Sequence, residues 1–262
     1  MLPCIFLNHG GGPMPLMAND NDPIRSHLLT VGSRFKQENM KPKSILIISA
    51  HYESAPSVLV TSSSKPDMYF DYYGFPPNTY KYKYPAPGDP GLASRIQTLL
   101  KNNNIPCEFD TKRGFDHGVF VPLMIAFPDA DIPVVTLSLH ASFNPELHLR
   151  MGQSLQPLRE EGVLIIGSGM SYHNMGGMFK QSNKPLGKEF DEALCKLITN
   201  PDSKHRNEIL SKWEQLPGAR NAHPREEHLL PLLVVAGAAG SDVGKSDSFL
   251  GMKAMVSGFT FS

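Results

Sequence analysis

The chain has 262 residues, enough for one large α/β domain or two small ones at roughly 100–200 residues per domain. Its 25 Lys and Arg balance 25 Asp and Glu, which removes the basic face expected of a nucleic-acid binder, and a 40% hydrophobic content supplies a core. No apolar run approaches the roughly 18 residues that span a bilayer, MLPCIFLNHGGG does not read as a signal peptide, and three scattered cysteines fit a reducing cytoplasm.

From the N-terminus, Pro3–Leu7 is a short apolar run and reads as a buried strand. Helical spacing covers Pro23–Gln37, with proline at its first position. Ser44–Ser49 and Val58–Thr61 are the next strands. Tyr69–Gly88 is a long loop dense in Tyr, Phe and Pro, and its Tyr69, Phe70, Tyr72, Tyr73 and Phe75 are candidates for a pocket wall. Helices follow at Asp89–Lys101 and Pro145–Arg159, with the strand Ile132–Leu139 between them. Val163–Gly167 is a further strand. Helical patterns then cover Lys184–Ile198, Ser203–Trp213 and Pro224–Ala238, and Phe249–Phe261 reads as one or two closing strands. Strands alternating with helices predict a single α/β domain over residues 1–262, with a central, mostly parallel sheet flanked by helices. Cys4, Cys107 and Cys195 fall in apolar segments and read as small core residues.

Pro and Gly, at 23 and 22 residues, make up about 17% of the chain against about 12% in average usage, so shaped loops are many. The ten histidines sit largely in them. His9 follows the first strand and precedes Gly10-Gly11-Gly12; His51 follows the second. His140 ends the strand at Leu139, and His173 lies just past Val163–Gly167. With parallel strands, these positions emerge at one carboxyl edge, where open α/β sheets place ligand sites. His117 and His228 fall in loop-to-helix contexts, His228 one turn into the helix expected from Pro224. His140 reads as a surface residue, His27, His148 and His205 as solvated, and His223 as a helix cap or rim residue. His9, His51 and His228 stand apart by their Gly or Pro contexts. Neutral imidazoles gathered at one sheet edge suit a divalent transition metal such as Fe(II) or Zn.

Other motifs fail. Gly10-Gly11-Gly12 does not make GxGxxG, no phosphate-binding GxxxxGK[ST] occurs, and Gly167-Ser168-Gly169 is not a nucleophile elbow.

Leu7-Asn8-His9-Gly10-Gly11, Ser49-Ala50-His51-Tyr52, Tyr84-Pro85-Ala86-Pro87-Gly88, Gly114-Phe115-Asp116-His117-Gly118, Tyr172-His173-Asn174 and Glu227-His228-Leu229-Leu230-Pro231-Leu232 occur in that order. In these motifs the chain resembles the class III extradiol ring-cleavage dioxygenase superfamily, in its 4,5-DOPA extradiol dioxygenase branch, from residue 5 to about 240. The resemblance implies one α/β domain around a mononuclear non-haem metal, Fe(II) for dioxygenase activity or Zn as the bound species. It also implies cleavage of a small catechol next to its hydroxyls with insertion of both atoms of O2. By the same resemblance His9, His51 and His228 are the metal ligands. His173 is the acid/base residue and stands close enough to be a fourth ligand, and His117 lines the pocket. Protocatechuate-cleaving relatives use two histidines and a carboxylate; a third histidine here also suits zinc. Two further readings share the metal pattern: a zinc-binding scaffold or signalling protein of the same fold, and a zinc hydrolase with His173 or Glu53 activating water. The expected partners are a catechol and O2, without nucleic acid or membrane, acting on a monomer or homodimer.

Overall fold

The computed structural model describes residues 1–178 and 185–262. In chain order the elements are β1 (Cys4–Asn8), α1 (Met14–Met17), α2 (Pro23–Gln37), β2 (Ser44–Ser54), β3 (Val58–Thr61), α3 (Pro90–Asn102) and β4 (Cys107–Asp110). There follow α4 (His117–Ala126), β5 (Val134–His140), α5 (Pro145–Leu155), β6 (Val163–Gly169), α6 (Met175–Met178) and α7 (Lys188–Ile198). The chain closes with α8 (Ser203–Leu210), α9 (Ala219–Ala222), α10 (Leu230–Ala238), β7 (Gly244–Gly251) and β8 (Ala254–Phe261).

Three helices begin on the same local chemistry. Asp22, Asp89 and Asn144 each accept a backbone N–H three residues on, and the following proline fixes the first helical φ. The spacing therefore locates α2, α3 and α5 to within a residue at their starts. The helix expected from Pro224 starts later: residues 224–229 are bends and turns without helix, and α10 begins at Leu230 with Pro231 in its first turn. Lys184, the expected start of another helix, lies outside the described residues; α7 begins at Lys188, after Gly187 at φ +70.

The eight strands of the described residues enter one sheet, ordered β4-β3-β5-β2-β6-β1-β8-β7. β5, β2, β6 and β1 are parallel neighbours. β3 runs antiparallel to β5 with β4 parallel to β3, and the β7–β8 hairpin closes antiparallel to β1. Of the one or two strands expected at Phe249–Phe261, there are two, with a turn through Met252 and Lys253, both at positive φ, and β7 starts earlier, at Gly244. β4 escaped the sequence pattern because CEFD carries only two apolar residues on a sheet edge. The central strands are buried on both faces and read as unbroken apolar runs.

α10 is buried on all sides. Its C-terminal carbonyls are taken by two buried arginines, which replace water as donors: Arg159 reaches Ala238 and Ala239 at 3.3 and 3.2 Å, and Arg206 reaches Ala236 and Gly240 at 3.1 and 2.9 Å. α10 is fixed in this way, and His228 sits two residues ahead of it. Among the described residues no helix is long and apolar enough to cross a membrane.

Candidate metal centre

Register aligns Ser49 of β2 and Leu7 of β1 with Ser168 of β6, so the three strand ends leave the sheet side by side. His9 is the first residue past β1. His51 lies inside β2, which runs on to Ser54 rather than ending at Ser49. Between the pairs Ile48–Leu137 and Glu53–Leu139, β2 advances five residues while β5 advances two. The extra residues form a bulge that lifts His51 out of the ladder. His228 arrives beside β6 because Gly169 has no side chain: a Cβ there would lie 2.1 Å from the His228 carbonyl, which instead accepts the Met170 N–H at 3.1 Å.

One ligand-capable nitrogen from each of His9, His51 and His228 lies within 4.8 Å of the other two. His9 is fully buried, and its Nδ1 lies 3.0 Å from Ser168 Oγ. Ser168 donates its own proton to the Gly118 carbonyl, so it accepts from His9 Nδ1–H and leaves His9 Nε2 a bare lone pair. His51 Nδ1 faces the Asp71 carboxylate, 3.6 Å from Oδ2, a charge that favours the His51 proton on that side of the ring. The two Nε2 atoms face each other at 3.1 Å. Two imidazole nitrogens this close either share a proton or hold a cation between them, and the donor set suits a divalent transition metal. The His228 Nδ1–H donates to Glu227 Oε1 at 2.9 Å, which orients its ring in the manner of a metal-ligating imidazole.

His173 stacks on His228 with ring centroids 3.4 Å apart, and its Nδ1 reaches the same Glu227 oxygen at 3.3 Å. His117 opens α4; its Nδ1 and backbone N–H both lie 2.9 Å from Asp71 Oδ1, and its ring centroid is 3.9 Å from that of His51. All five histidines singled out in the sequence therefore meet at one place. His140 shares the edge but turns away to Ser142 and the Pro56 carbonyl.

Burial, then the neighbouring imidazoles, holds His9 and His51 well below the ordinary histidine range. Burial likewise lowers His228 to about 4 against the opposing pull of Glu227. Neutral imidazole is the metal-binding form. Burial raises the Glu227 carboxyl, but hydrogen bonds from His173 and His228 outweigh it and keep this carboxylate ionised far below its usual range.

Several expectations need correction. His27 and His148 are buried, not solvated: His27 pairs with Asp247 at 2.8 Å, and His148 donates to the Asn144 carbonyl while accepting the His140 N–H. His223 is neither cap nor rim; it is fully buried and donates to the Ser171 carbonyl at 2.9 Å. In the Tyr69–Gly88 loop, Tyr73 is 92% exposed while Tyr72 is buried against Phe70, Phe75 and Tyr80. Glu53 is held bidentately by Arg225 at 2.9 and 2.7 Å, which ties up the carboxylate a hydrolytic base would use. Sequence reading missed Asp71, Asp116, Ser168 and the orienting role of Glu227. Only Asp116 and Glu227 carried a signal, through adjacency to a histidine.

The family model described as the catalytic LigB subunit of aromatic ring-opening dioxygenase matches residues 3–259. The chain is 42% identical over 242 residues to a 4,5-DOPA dioxygenase extradiol of Beta vulgaris, covering 90% of this chain and 87% of that one. It is 38% identical over 259 residues to the dioxygenase tasH of Hapsidospora irregularis, covering 91% and 78%. A crystal structure of an uncharacterized protein from Escherichia coli K12 superposes with a TM-score of 0.80 at 29% identity over 100% of both chains. The chain belongs to the LigB family of class III extradiol dioxygenases.

Proposed function

We propose that the protein is a metal-dependent extradiol dioxygenase that opens the ring of a small catechol with O2. The observation that carries this reading is the convergence of three neutral imidazoles, His9, His51 and His228, within 4.8 Å, with His173 stacked beside them. Family membership supports a divalent metal, a small aromatic substrate and O2. His9, His51 and His228 would hold the metal, which supplies positive charge that favours the catecholate and brings it together with O2.

The chain's own residues handle the protons. With its Nδ1–H turned to Glu227, His173 keeps a lone pair on Nε2, suited to taking a proton from a catechol hydroxyl and returning it later. His117, fixed through Nδ1 by Asp71, presents its other nitrogen as a hydrogen-bonding group for substrate. The Tyr72 ring lies 6.2 Å from His117, and Phe75 packs over Gly12, where a Cβ would sit 3.1 Å from its ring. These contacts make the aromatic loop a wall of the site and a support of the Gly10–Gly12 turn. Glycines at Gly10 (φ +80) and Gly12 (φ +54) permit that turn.

The test is oxygen uptake after metal removal and anaerobic reloading with Fe(II) or Zn(II), with DOPA, caffeate and simpler catechols offered in turn. Uptake with Fe(II) alone, with a yellow ring-opened product, is the expected result. Silence across all catechols with metal bound at one per chain would refute it and favour the zinc-scaffold reading.

A further inference from the structure

Arg113 lies outside the histidine cluster, yet the His51 carbonyl and the Tyr52 ring of the bulge both contact it. Its Nη2 donates to the His51 carbonyl at 2.8 Å and to Asp116 Oδ2 at 3.0 Å. Asp116 is fully buried, and its other oxygen accepts the Ser49 hydroxyl proton at 2.8 Å. Ser49 Oγ in turn accepts the His51 N–H at 3.2 Å. Both backbone polar groups of His51, lost to the β ladder by the bulge, are thus recovered through Arg113, directly or by way of Asp116 and Ser49. The guanidinium itself is clamped between Tyr52 and Tyr69, 4.6 and 4.4 Å from the ring centroids. Tyr52 is anchored by its hydroxyl to Asp110, which also caps the Arg113 N–H at 2.9 Å. Tyr69 is held by its N–H to the Phe115 carbonyl at 2.8 Å.

We infer that Arg113 is a positioning residue that fixes the His51 imidazole in the metal centre by locking the bulge at residues 49–52. The inference rests on the metal reading above. Its chemistry is specific to a planar fork: one nitrogen bonds two acceptors while the face stacks on two rings, which an ammonium cannot reproduce. Because Asp116 opens directly onto α4, the lock also ties the bulge to the helix that carries His117, and Gly118 leaves it room: a Cβ there would meet Ser49 Oγ at 2.8 Å. Loss of an orienting partner outside the ligand set weakens metal binding by about 10- to 100-fold.

The test uses Zn(II) dissociation constants from chelator competition on Arg113→Ala, Arg113→Lys and Ser49→Ala. Arg113→Ala is expected to bind Zn(II) about 10- to 100-fold more weakly, with ethylguanidinium restoring part of the loss. Arg113→Lys is expected to fall in between. Hydrogen exchange of residues 49–52 in the metal-free variants is read alongside, and a local acceleration of about tenfold is expected there. Should Arg113→Ala not fold, Arg113→Lys and Ser49→Ala carry the test through the same two readouts. Zn(II) affinity within about threefold of the parent, or unchanged exchange across 49–52, overturns the inference. So does a loss that ethylguanidinium does not touch and that Arg113→Lys shares in full, which marks general loosening. A parent protein that binds no Zn(II) refutes the metal reading instead, and the exchange experiment then decides Arg113 separately.

Discussion

Glu227 Oε1 accepts from the Nδ1 atoms of both His173 and His228, so one carboxylate sets the orientation of a proposed metal ligand and of the proposed proton carrier. The two roles separate by mutation. In His173→Ala the His9–His51–His228 set is intact, so metal content stays at one per chain. Turnover falls by about 10²- to 10⁴-fold, the usual range for a lost acid/base group. Metal analysis with steady-state rates checks this, and unchanged turnover would remove His173 from the chemistry. The five clustered histidines were legible from context: His9 and His117 adjoin a glycine, His51 and His173 follow apolar strand runs, and His228 lies between Pro224 and Pro231. Asp71 and Arg113 were not: Asp71 reaches His117 across 46 residues of chain and Arg113 reaches the His51 carbonyl across 62, and such pairings leave no local pattern. His148 misled because it follows the first turn of an amphipathic helix, where its apolar surroundings come from the packing of α5 and not from its neighbours in sequence.

Strand ends, bulge and helix starts determine where these side chains go. β6 contributes least chemically and most sterically: Gly167 and Gly169 let α10 and the His228 turn press against it, with Cβ atoms there meeting the Pro231 and His228 carbonyls at 2.6 and 2.1 Å. Gly169→Ala is therefore expected to push the His228 turn outward. A core overpacking cost of about 1–3 kcal/mol and weaker metal binding should appear together, measured by denaturant unfolding and chelator competition. A variant with parent affinity and stability would show that the turn yields freely. At this scale the parallel core, the capped starts of α2, α3 and α5 and the carboxyl-edge placement were readable from apolar runs and Asx-Pro pairs. The extension of β2 to Ser54 was not. A bulge is stabilised by distant partners, here Asp116 and Arg113, and its sequence looks like a strand that has ended.

Over the whole molecule, buried neutral histidines couple stability to pH. Burial lowers His148 to about 4 and His223 to about 3, both outside the proposed ligand set. In the unfolded chain each would titrate near the ordinary value of about 6.5. Between that value and the folded one the unfolded state binds more protons, so stability is complete above about pH 6.5 and lost as pH falls. Each such residue contributes a slope of about 1.4 kcal/mol per pH unit in that window. The Tm should therefore drop steadily from pH 6.5 towards 4, and His148→Gln should flatten the decline. A Tm independent of pH across that window would contradict the buried neutral state.

The fate of oxygen tests the central claim most directly. Extradiol opening places one atom of O2 in a carboxylate and the other in an aldehyde. The Fe(II)-loaded protein turned over with a catechol under ¹⁸O₂ should yield a ring-opened product carrying both labelled atoms, read by mass spectrometry before the aldehyde exchanges with water. A product whose new oxygen comes only from water, or an intact ring with metal bound, would contradict the account.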